Sequence, residues 1–381
     1  MPVDFGRKVH CLLGLPFDAV DMPTTVARIR SAAAGGPPCF LSTPNLNFLI
    51  ACQDDADFRA SVINCDLSIA DGMPLVWIAR LLGLPIRERV AGSSVFAALR
   101  GHAERPLSVY FFGGLPGVAE QAAARLNFEA RGLRCVGFEC PGFGSVEEMS
   151  STATLDRINA SGANFVVVAL GARKGQAWIE RNRERIAAPV ISHLGAVVNF
   201  VAGTVSRAPA WMQKSGMEWL WRIKEEPGLW HRYLRDGLAL ARLLATRVLP
   251  HALYLLRHRP APGSKSDAEI EVSQHDGTPM LCLNGAWGND QLDPLRREFT
   301  AAVAAGGEVW LDMKRVSYID SAFVGLVLLL FGWQSQSGRQ LLIVATSPAV
   351  RRVFRFCCAE FVLDAGSSPA KLMDRLVHQH T

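Results

Sequence analysis

The sequence predicts an α/β protein with a mostly parallel sheet, followed by a second, smaller α/β domain. Three observations carry this. Short apolar runs alternate with stretches of helical periodicity through the first half of the chain, the pattern that βαβ units impose. A proline-, glycine- and serine-rich stretch, Arg259-Pro260-Ala261-Pro262-Gly263-Ser264-Lys265-Ser266-Asp267, then breaks a long amphipathic pattern, as a linker does. Finally, 381 residues exceed the roughly 100–200 of a typical domain. The boundaries expected are 1–258 for the first domain, with a helical, basic appendage over about 205–258, then a linker at 259–267 and a second domain at 268–381.

Taken in order, 39–42 reads as a strand, 46–63 and 75–82 as helical, 107–112 as a strand, 118–130 as a helix, 165–170 as a strand, 177–186 as a helix and 190–194 as a strand. Beyond the linker, strands are expected at 280–283, 308–312 and 341–345, and helices at 292–305, 322–336 and 348–357. These assignments rest on period and on β-branched or aromatic enrichment.

A hydrophobic fraction of 49% with 20% charged residues supplies two cores and excludes a disordered chain. The nine cysteines are scattered without a C-x-x-C pair, so free thiols in a reducing cytosol are expected. Residues 1–16 lack a long apolar region and a small-residue cleavage site, so no export signal is read there. The net charge of +5 is unevenly spread: Arg222, Lys224, Arg232, Arg235, Arg242, Arg247, Arg257 and Arg259 interleave with Trp219, Leu220, Trp221, Trp230 and Tyr233. The apolar run at 238–256 contains Arg242, Arg247 and His251, and each arginine at a bilayer centre costs about 2.5–3.5 kcal/mol. A spanning helix is therefore disfavoured. Two readings stand: an amphipathic segment on an anionic membrane face, or a helix packed on its own domain. Nucleic-acid binding is disfavoured, because the rest of the chain has no basic stripe.

Polar groups cluster at the ends of two apolar runs. Thr43-Pro44-Asn45 follows the strand 39–42, and the proline keeps Thr43 extended. Thr43 and Asn45 then offer a hydroxyl and an amide suited to orienting a polyol, while Asn45 equally suits a helix N-cap. Asp71-Gly72 follows Leu67-Ser68-Ile69-Ala70, and Asp71 reads either as a cap or as a general base of raised pKa. Arg89, before Val90-Ala91-Gly92, can pair with a carboxylate or grip a phosphate bidentately. Gly113-Gly114, between strand and helix, permits close approach of a phosphate to backbone N–H groups, although it is not the G-x-G-x-x-G fingerprint. Asp55-Ala56-Asp57 falls in a helical stretch and is not read as a metal site, and His378 and His380 lie in a polar tail without further ligands. No metal and no cofactor is expected.

Together these residues resemble the WecG/TagA/CpsF family of bacterial glycosyltransferases, over about 9–247. The matching text is Thr43-Pro44-Asn45, Asp66-Leu67, Asp71-Gly72-Met73-Pro74-Leu75-Val76-Trp77, Gly83-Leu84-Pro85, Glu88-Arg89-Val90-Ala91-Gly92, Phe112-Gly113-Gly114, Arg207-Ala208-Pro209 and Glu218-Trp219-Leu220. The resemblance implies a Rossmann-like domain and an inverting, metal-independent transfer of a sugar, often of the N-acetylmannosamine type. The sugar would pass from a UDP-sugar donor to a polyprenyl-diphosphate-linked saccharide acceptor, at the inner face of the cytoplasmic membrane. It implies Asp71 as base, Thr43 and Asn45 orienting sugars, and Arg89, Gly113, Gly114, Arg222, Arg232 and Arg235 as candidates to meet the diphosphate. Gln176 stands one position later than the family's usual glutamine, Ser94 stands where an aspartate often follows, and Asn199 where aspartate is frequent; these departures bear on the donor more than on the reaction.

The second domain, over about 268–377, resembles STAS domains of the anti-sigma-factor-antagonist type. Leu311-Asp312-Met313, Val316-Ser317-Tyr318-Ile319-Asp320-Ser321, Gly325-Leu326 and Ser347-Pro348-Ala349-Val350-Arg351-Arg352-Val353 carry it. The resemblance implies a regulatory or docking module, with a protein partner or kinase acting at Ser321; the alternative for Ser321 is that it caps its helix. The expected protein is thus a glycosyltransferase of exopolysaccharide or cell-envelope synthesis, cytoplasmic and peripheral to the inner membrane face, with a STAS module. The alternative is a non-catalytic sugar-nucleotide sensor or scaffold signalling through that module. An oxidoreductase is disfavoured, since no dinucleotide fingerprint follows the first strand.

Overall fold

The computed structural model describes residues 3–101, 105–258, 267–275 and 278–365. Most of the expected linker, and the tail with His378 and His380, lie outside them. The chain forms two compact units: a larger one of Val20–Ile78 and Ile86–Leu240, and a smaller one of Met1–Ala19, Ala79–Pro85 and Ala241–Thr381. The division does not follow the expected linker, because the first strands of the chain gather with its last helices.

The larger unit is built on a six-stranded parallel sheet, in the order Leu67–Ser68, Cys39–Ser42, Val190–His193, Phe165–Ala169, Leu107–Gly113, Leu133–Glu139. Its strands are short apolar runs because helices cover both faces. Period-2 alternation sorts the side chains: Val109 and Phe111 enter one core with Ile29, Leu41, Phe165 and Val167, while Tyr110 and Phe112 enter the other with Phe40, Val166, Val168 and Trp178. Phe112 and Trp178 stack with ring centroids 4.3 Å apart. From Cys39–Ser42 the chain moves outward to Leu67–Ser68 and then fills the opposite side. The order therefore reverses beside Cys39–Ser42, and its carboxyl end opens the crevice where α/β sheets hold ligands.

The helix Met22–Ala33 and the strand Leu133–Glu139 escape the expectations, and the helical stretch at 46–63 divides into Leu46–Asp54 and Ala56–Ile63. The break falls at Asp55, which is extended and whose Oδ1 accepts from Phe58 N. Asp55 also pairs with Arg173 at 3.4 Å, so its carboxylate has capping and pairing work.

In the smaller unit, a four-stranded sheet runs Leu341–Thr346, Val309–Ile319, Thr278–Trp287, Glu269–His275, parallel except for its last pair. The helix Ser321–Gln336 is apolar around most of its surface, with residues from Ser321 to Leu330 all buried; such a helix must be covered on every side. Part of its cover is an antiparallel hairpin, Val9–Leu12 with Leu15–Asp18, fully buried along both strands. Leu13 (φ 49°) and Gly14 (φ 90°) turn the hairpin, the paired positive φ of a two-residue loop whose twist suits the strands. A Cβ on Gly325 would stand 3.0 Å from the Val9 carbonyl oxygen, and one on Gly14 2.9 Å from that of Cys358. Arg296 donates to the carbonyls of Phe5 and Arg7, and Phe5 packs edge-on against Phe299 at 5.7 Å. Arg7 and Asp18, both buried, pair at 2.7 Å.

Candidate active site

Three loops at the carboxyl end of Cys39–Ser42 are tied together by the backbone. Asp71 N–H donates to the Pro44 carbonyl at 3.0 Å, and Val90 N–H to that of Ala70 at 3.0 Å. Thr43-Pro44-Asn45, Asp71-Gly72 and Arg89 to Gly92 are thereby brought side by side. A Cβ on Gly92 would overlap Leu194 and stand 3.1 Å from Thr43 Cγ2, and one on Gly72 would lie 3.9 Å from Asn45 Cβ. Close approach at Gly92, rather than a special turn, is what calls for glycine there.

The Asp71 carboxylate receives two kinds of donor. Oδ2 accepts from Gly92 N–H at 3.2 Å, at the start of the helix Gly92–Gly101, and Oδ1 accepts from Arg89 Nε at 3.3 Å and Nη2 at 3.2 Å. Asp71 thus caps, but not the helix that follows it in sequence. Arg89 Nη2 also pairs with Glu218 Oε2 at 2.7 Å. One guanidinium therefore serves two carboxylates, and Asp71 keeps 22% of its side chain exposed. Withdrawal from water raises the Asp71 carboxyl above the usual range; Arg89 opposes the shift and the Glu218 charge reinforces it. A carboxylate of raised affinity for protons, partly open at a crevice, suits general-base work.

Glu218 stands in the first turn of Glu218–Glu225, so the basic appendage completes the charge cluster. Arg207 lies near it: Nη2 donates to Ser94 Oγ at 2.6 Å, two residues beyond Gly92. The appendage is fastened a second time where Asn47 Nδ2 donates to the buried Asp236 at 3.0 Å.

The other sequence-predicted residues are placed as follows. Asn45 Oδ1 caps Leu46–Asp54 by accepting from Phe48 N at 3.2 Å, so its capping role is real, and it still borders Gly72. Gln176 is fully buried; its Nε2 donates to Ser42 Oγ at 2.7 Å and its Oε1 is without a hydrogen-bond partner, so it meets the crevice through the residue before Thr43. Gly113 and Gly114 have φ of 105° and 89°, and Gly114 N–H already donates to the Ala169 carbonyl at 2.9 Å. Arg222 pairs with Glu226 at 3.8 Å and lies over the Phe200 ring; Arg232 lies over Tyr233; Arg235 is 73% exposed beside Asp236. Among the described residues, none of these three arginines bonds to Asp71, Arg89 or Glu218. Glu218 and Arg207 were not singled out for the site, although both stand in text that carried the family resemblance. No group of three or more metal-ligating side chains occurs among the described residues.

Ser321, in the smaller unit, opens the helix Ser321–Gln336 but does not cap it. Asp320 does, its Oδ1 accepting from Ala322 N and Phe323 N. Ser321 is 5% exposed, and its Oγ lies 3.1 Å from Nδ1 of His10 in the hairpin.

A doubly wound sheet with a carboxylate of raised proton affinity and guanidinium groups at its order reversal suits an α/β group-transfer enzyme. Residues 10–252 match the model of the "Glycosyl transferase WecG/TagA/CpsF family", and the chain belongs to that family of glycosyltransferases. Residues 270–358 match the model "Mlab, STAS domain", which identifies the C-terminal domain as STAS. The chain is similar to an N-acetylglucosaminyldiphosphoundecaprenol N-acetyl-beta-D-mannosaminyltransferase of Bacillus spizizenii, 27% identical over 196 residues, covering 51% of this chain and 74% of the relative. The protein of the same name in Bacillus subtilis is 26% identical over 195 residues, with coverages of 51% and 74%. Among solved structures, the anti-sigma factor antagonist SpoIIAA in its unphosphorylated form is 21% identical, with a TM-score of 0.25, covering 29% of this chain and 97% of its own. The phosphorylated form of the Bacillus protein gives 21%, 0.24, 28% and 99%.

Proposed function

We propose that this glycosyltransferase moves a sugar of the N-acetylmannosamine type from a UDP-sugar to a polyprenyl-diphosphate-linked N-acetylglucosamine, with inversion and without a metal, at the inner face of the cytoplasmic membrane. The names of the two relatives support the acceptor. The observation that carries the chemistry is Asp71, held by Gly92 N–H and Arg89 with its proton affinity raised. In one displacement an acceptor hydroxyl attacks the anomeric carbon, its proton passes to Asp71, and the bond from that carbon to the diphosphate oxygen breaks. The nucleoside diphosphate leaves with the electron pair. Thr43 and Asn45 border the carboxylate and orient hydroxyls.

Membrane docking is assigned to the appendage. By length and composition 227–258 is apolar enough to cross a bilayer and is mostly unburied, but Arg235, Arg242 and Arg247 favour a position along the surface. Trp230, Leu234 and Leu238 are exposed at the i, i+4, i+8 spacing of one helical stripe. The STAS domain serves regulation or docking.

The test is UDP release in EDTA from a panel of UDP-sugars, with a synthetic polyprenyl-diphosphate N-acetylglucosamine acceptor, for wild type and Asp71→Asn. Acceptor-dependent release lost in the variant supports the reading. Silence across the panel, with UDP still binding, overturns the proposed acceptor and points to a different acceptor or to a sugar-nucleotide sensor.

A further inference from the structure

Arg207 is a guanidinium of the site without a direct ion pair among the described residues. Both neighbouring carboxylates, Asp71 and Glu218, are committed to Arg89 at 3.2 and 2.7 Å. Among the described residues no carboxylate lies within ion-pair distance of Arg207; its hydrogen-bond partner is the neutral hydroxyl of Ser94. Its Nε–H is buried and donates to nothing. A buried donor on a charged group costs more unmade than a neutral one, and a native structure that keeps one open calls for an explanation such as an absent ligand. The position is fixed: Asp71 Oδ2 holds Gly92 N–H at 3.2 Å, and Ser94, two residues on in the same helix, holds Arg207 at 2.6 Å. Arg222 and Arg235, by contrast, pair with Glu226 and Asp236, while Arg232 lies over Tyr233 and shares with Arg207 a buried Nε–H without a hydrogen-bond partner.

We infer that Arg207 is an anion-binding residue that receives the diphosphate of the nucleotide-sugar donor, with Ser94 holding its guanidinium in place. The inference rests on the donor proposed above. A planar guanidinium suits phosphate oxygens, and charge grows on the oxygen that departs from the anomeric carbon. A donor N–H fixed beforehand stabilises that oxygen without reorganisation. Ser94 is a positioning residue: its hydroxyl accepts from Arg207 Nη2 at 2.6 Å and so orients the guanidinium.

The experiment titrates UDP, UMP and inorganic pyrophosphate into the full chain by calorimetry, for wild type, Arg207→Gln and Ser94→Ala, with thermal melts as a check of folding. Wild type is expected to prefer UDP to UMP. Both substitutions are expected to weaken UDP about tenfold or more, the scale of one charge-assisted hydrogen bond, and to leave UMP nearly unchanged, so that the UDP-to-UMP ratio collapses. If Arg207→Gln fails to fold, Ser94→Ala carries the test with the guanidinium present but no longer held by the hydroxyl. An unchanged ratio in folded variants overturns the inference. Pyrophosphate bound through Arg207 with no binding of UDP keeps the anion site and overturns the nucleotide donor instead. No binding of any of the three anions overturns the anion site itself.

Discussion

Nδ1 of His10 and Oγ of Ser321 lie 3.1 Å apart, joining residues 311 positions distant in the chain. The hydroxyl expected from the STAS resemblance to be open to a kinase is sealed beneath a β-hairpin. Replacing it by a carboxylate in Ser321→Glu places a charge at a position only 5% exposed, where among the described residues no cation bonds the hydroxyl. The expected outcome is release of the hairpin. Hydrogen–deuterium exchange would rise across residues 9–18, while the strands Thr278–Trp287 and Val309–Ile319 stay protected. Unchanged protection at 9–18 would show that the hairpin does not depend on this contact.

Acid should weaken the fold earlier than carboxylate protonation alone. Burial lowers His10, His193 and His251 from 6.5 to about 4, with Arg296 adding to the shift at His10. Each is neutral in the folded protein and takes up a proton more readily when unfolded. Between about pH 6.5 and 4 the unfolded chain binds more protons, so stability falls as pH falls through that window and is fully present above it. Each histidine contributes on the order of 1–3 kcal/mol. Melting temperature measured from pH 7.5 to 4.5 should drop, and His10→Gln should flatten part of the slope.

Asp71→Asn keeps an acceptor for Gly92 N–H but cannot take a proton from an acceptor hydroxyl. Turnover is expected to fall about 10²- to 10⁴-fold, with a melting temperature close to wild type. A variant that keeps more than a tenth of the wild-type rate would remove Asp71 from the role of base.

Glu218→Gln tests how the appendage tunes that carboxylate. The Glu218 charge raises the Asp71 carboxyl and also competes for Arg89. Without it, Asp71 ionises at lower pH, so the acidic limb of the rate profile should move to lower pH. A limb that stays in place would mean that Glu218 only fastens the appendage.

Gly325→Ala inserts a methyl 3.0 Å from the Val9 carbonyl oxygen and 3.2 Å from Cys11 N. Backbone on both sides cannot yield as a side chain would, so a loss of about 1–3 kcal/mol is expected in chemical denaturation. The same change at Gly237, where nothing lies within 4 Å, should be stabilising or neutral.

Much of this was legible in the residues, for identifiable reasons. Buried parallel strands such as Phe165–Ala169 announce themselves as apolar runs, and Thr43, Asn45, Asp71 and Arg89 fall at strand ends and loops where a crevice forms. The hairpin was missed because Val9–Leu12 carries a histidine and Leu15–Asp18 a proline, and its turn is Leu13-Gly14 rather than Asn-Gly. Its partner, the helix Ser321–Gln336, lies at the other end of the chain, and no local pattern reports such a pairing. Glu218 and Arg207 were hidden for a related reason: each reads as one more charge in a basic stretch until the fold sets it beside Arg89 or Ser94. Ser321 looked like a cap because the residue that does cap, Asp320, stands directly before it.

The seating of Gly14 against the Cys358 carbonyl has a meaning for synthesis on the ribosome. The hairpin is synthesised ahead of the helix that buries it, with 311 positions between His10 and Ser321, about 15–60 s at ordinary elongation rates. Through that interval its apolar strands wait without their partner, exposed to chaperones or to other nascent chains. A chain interrupted before Ser321 carries the waiting strands without this helix, so the hairpin is settled only once Ser321–Gln336 has been made.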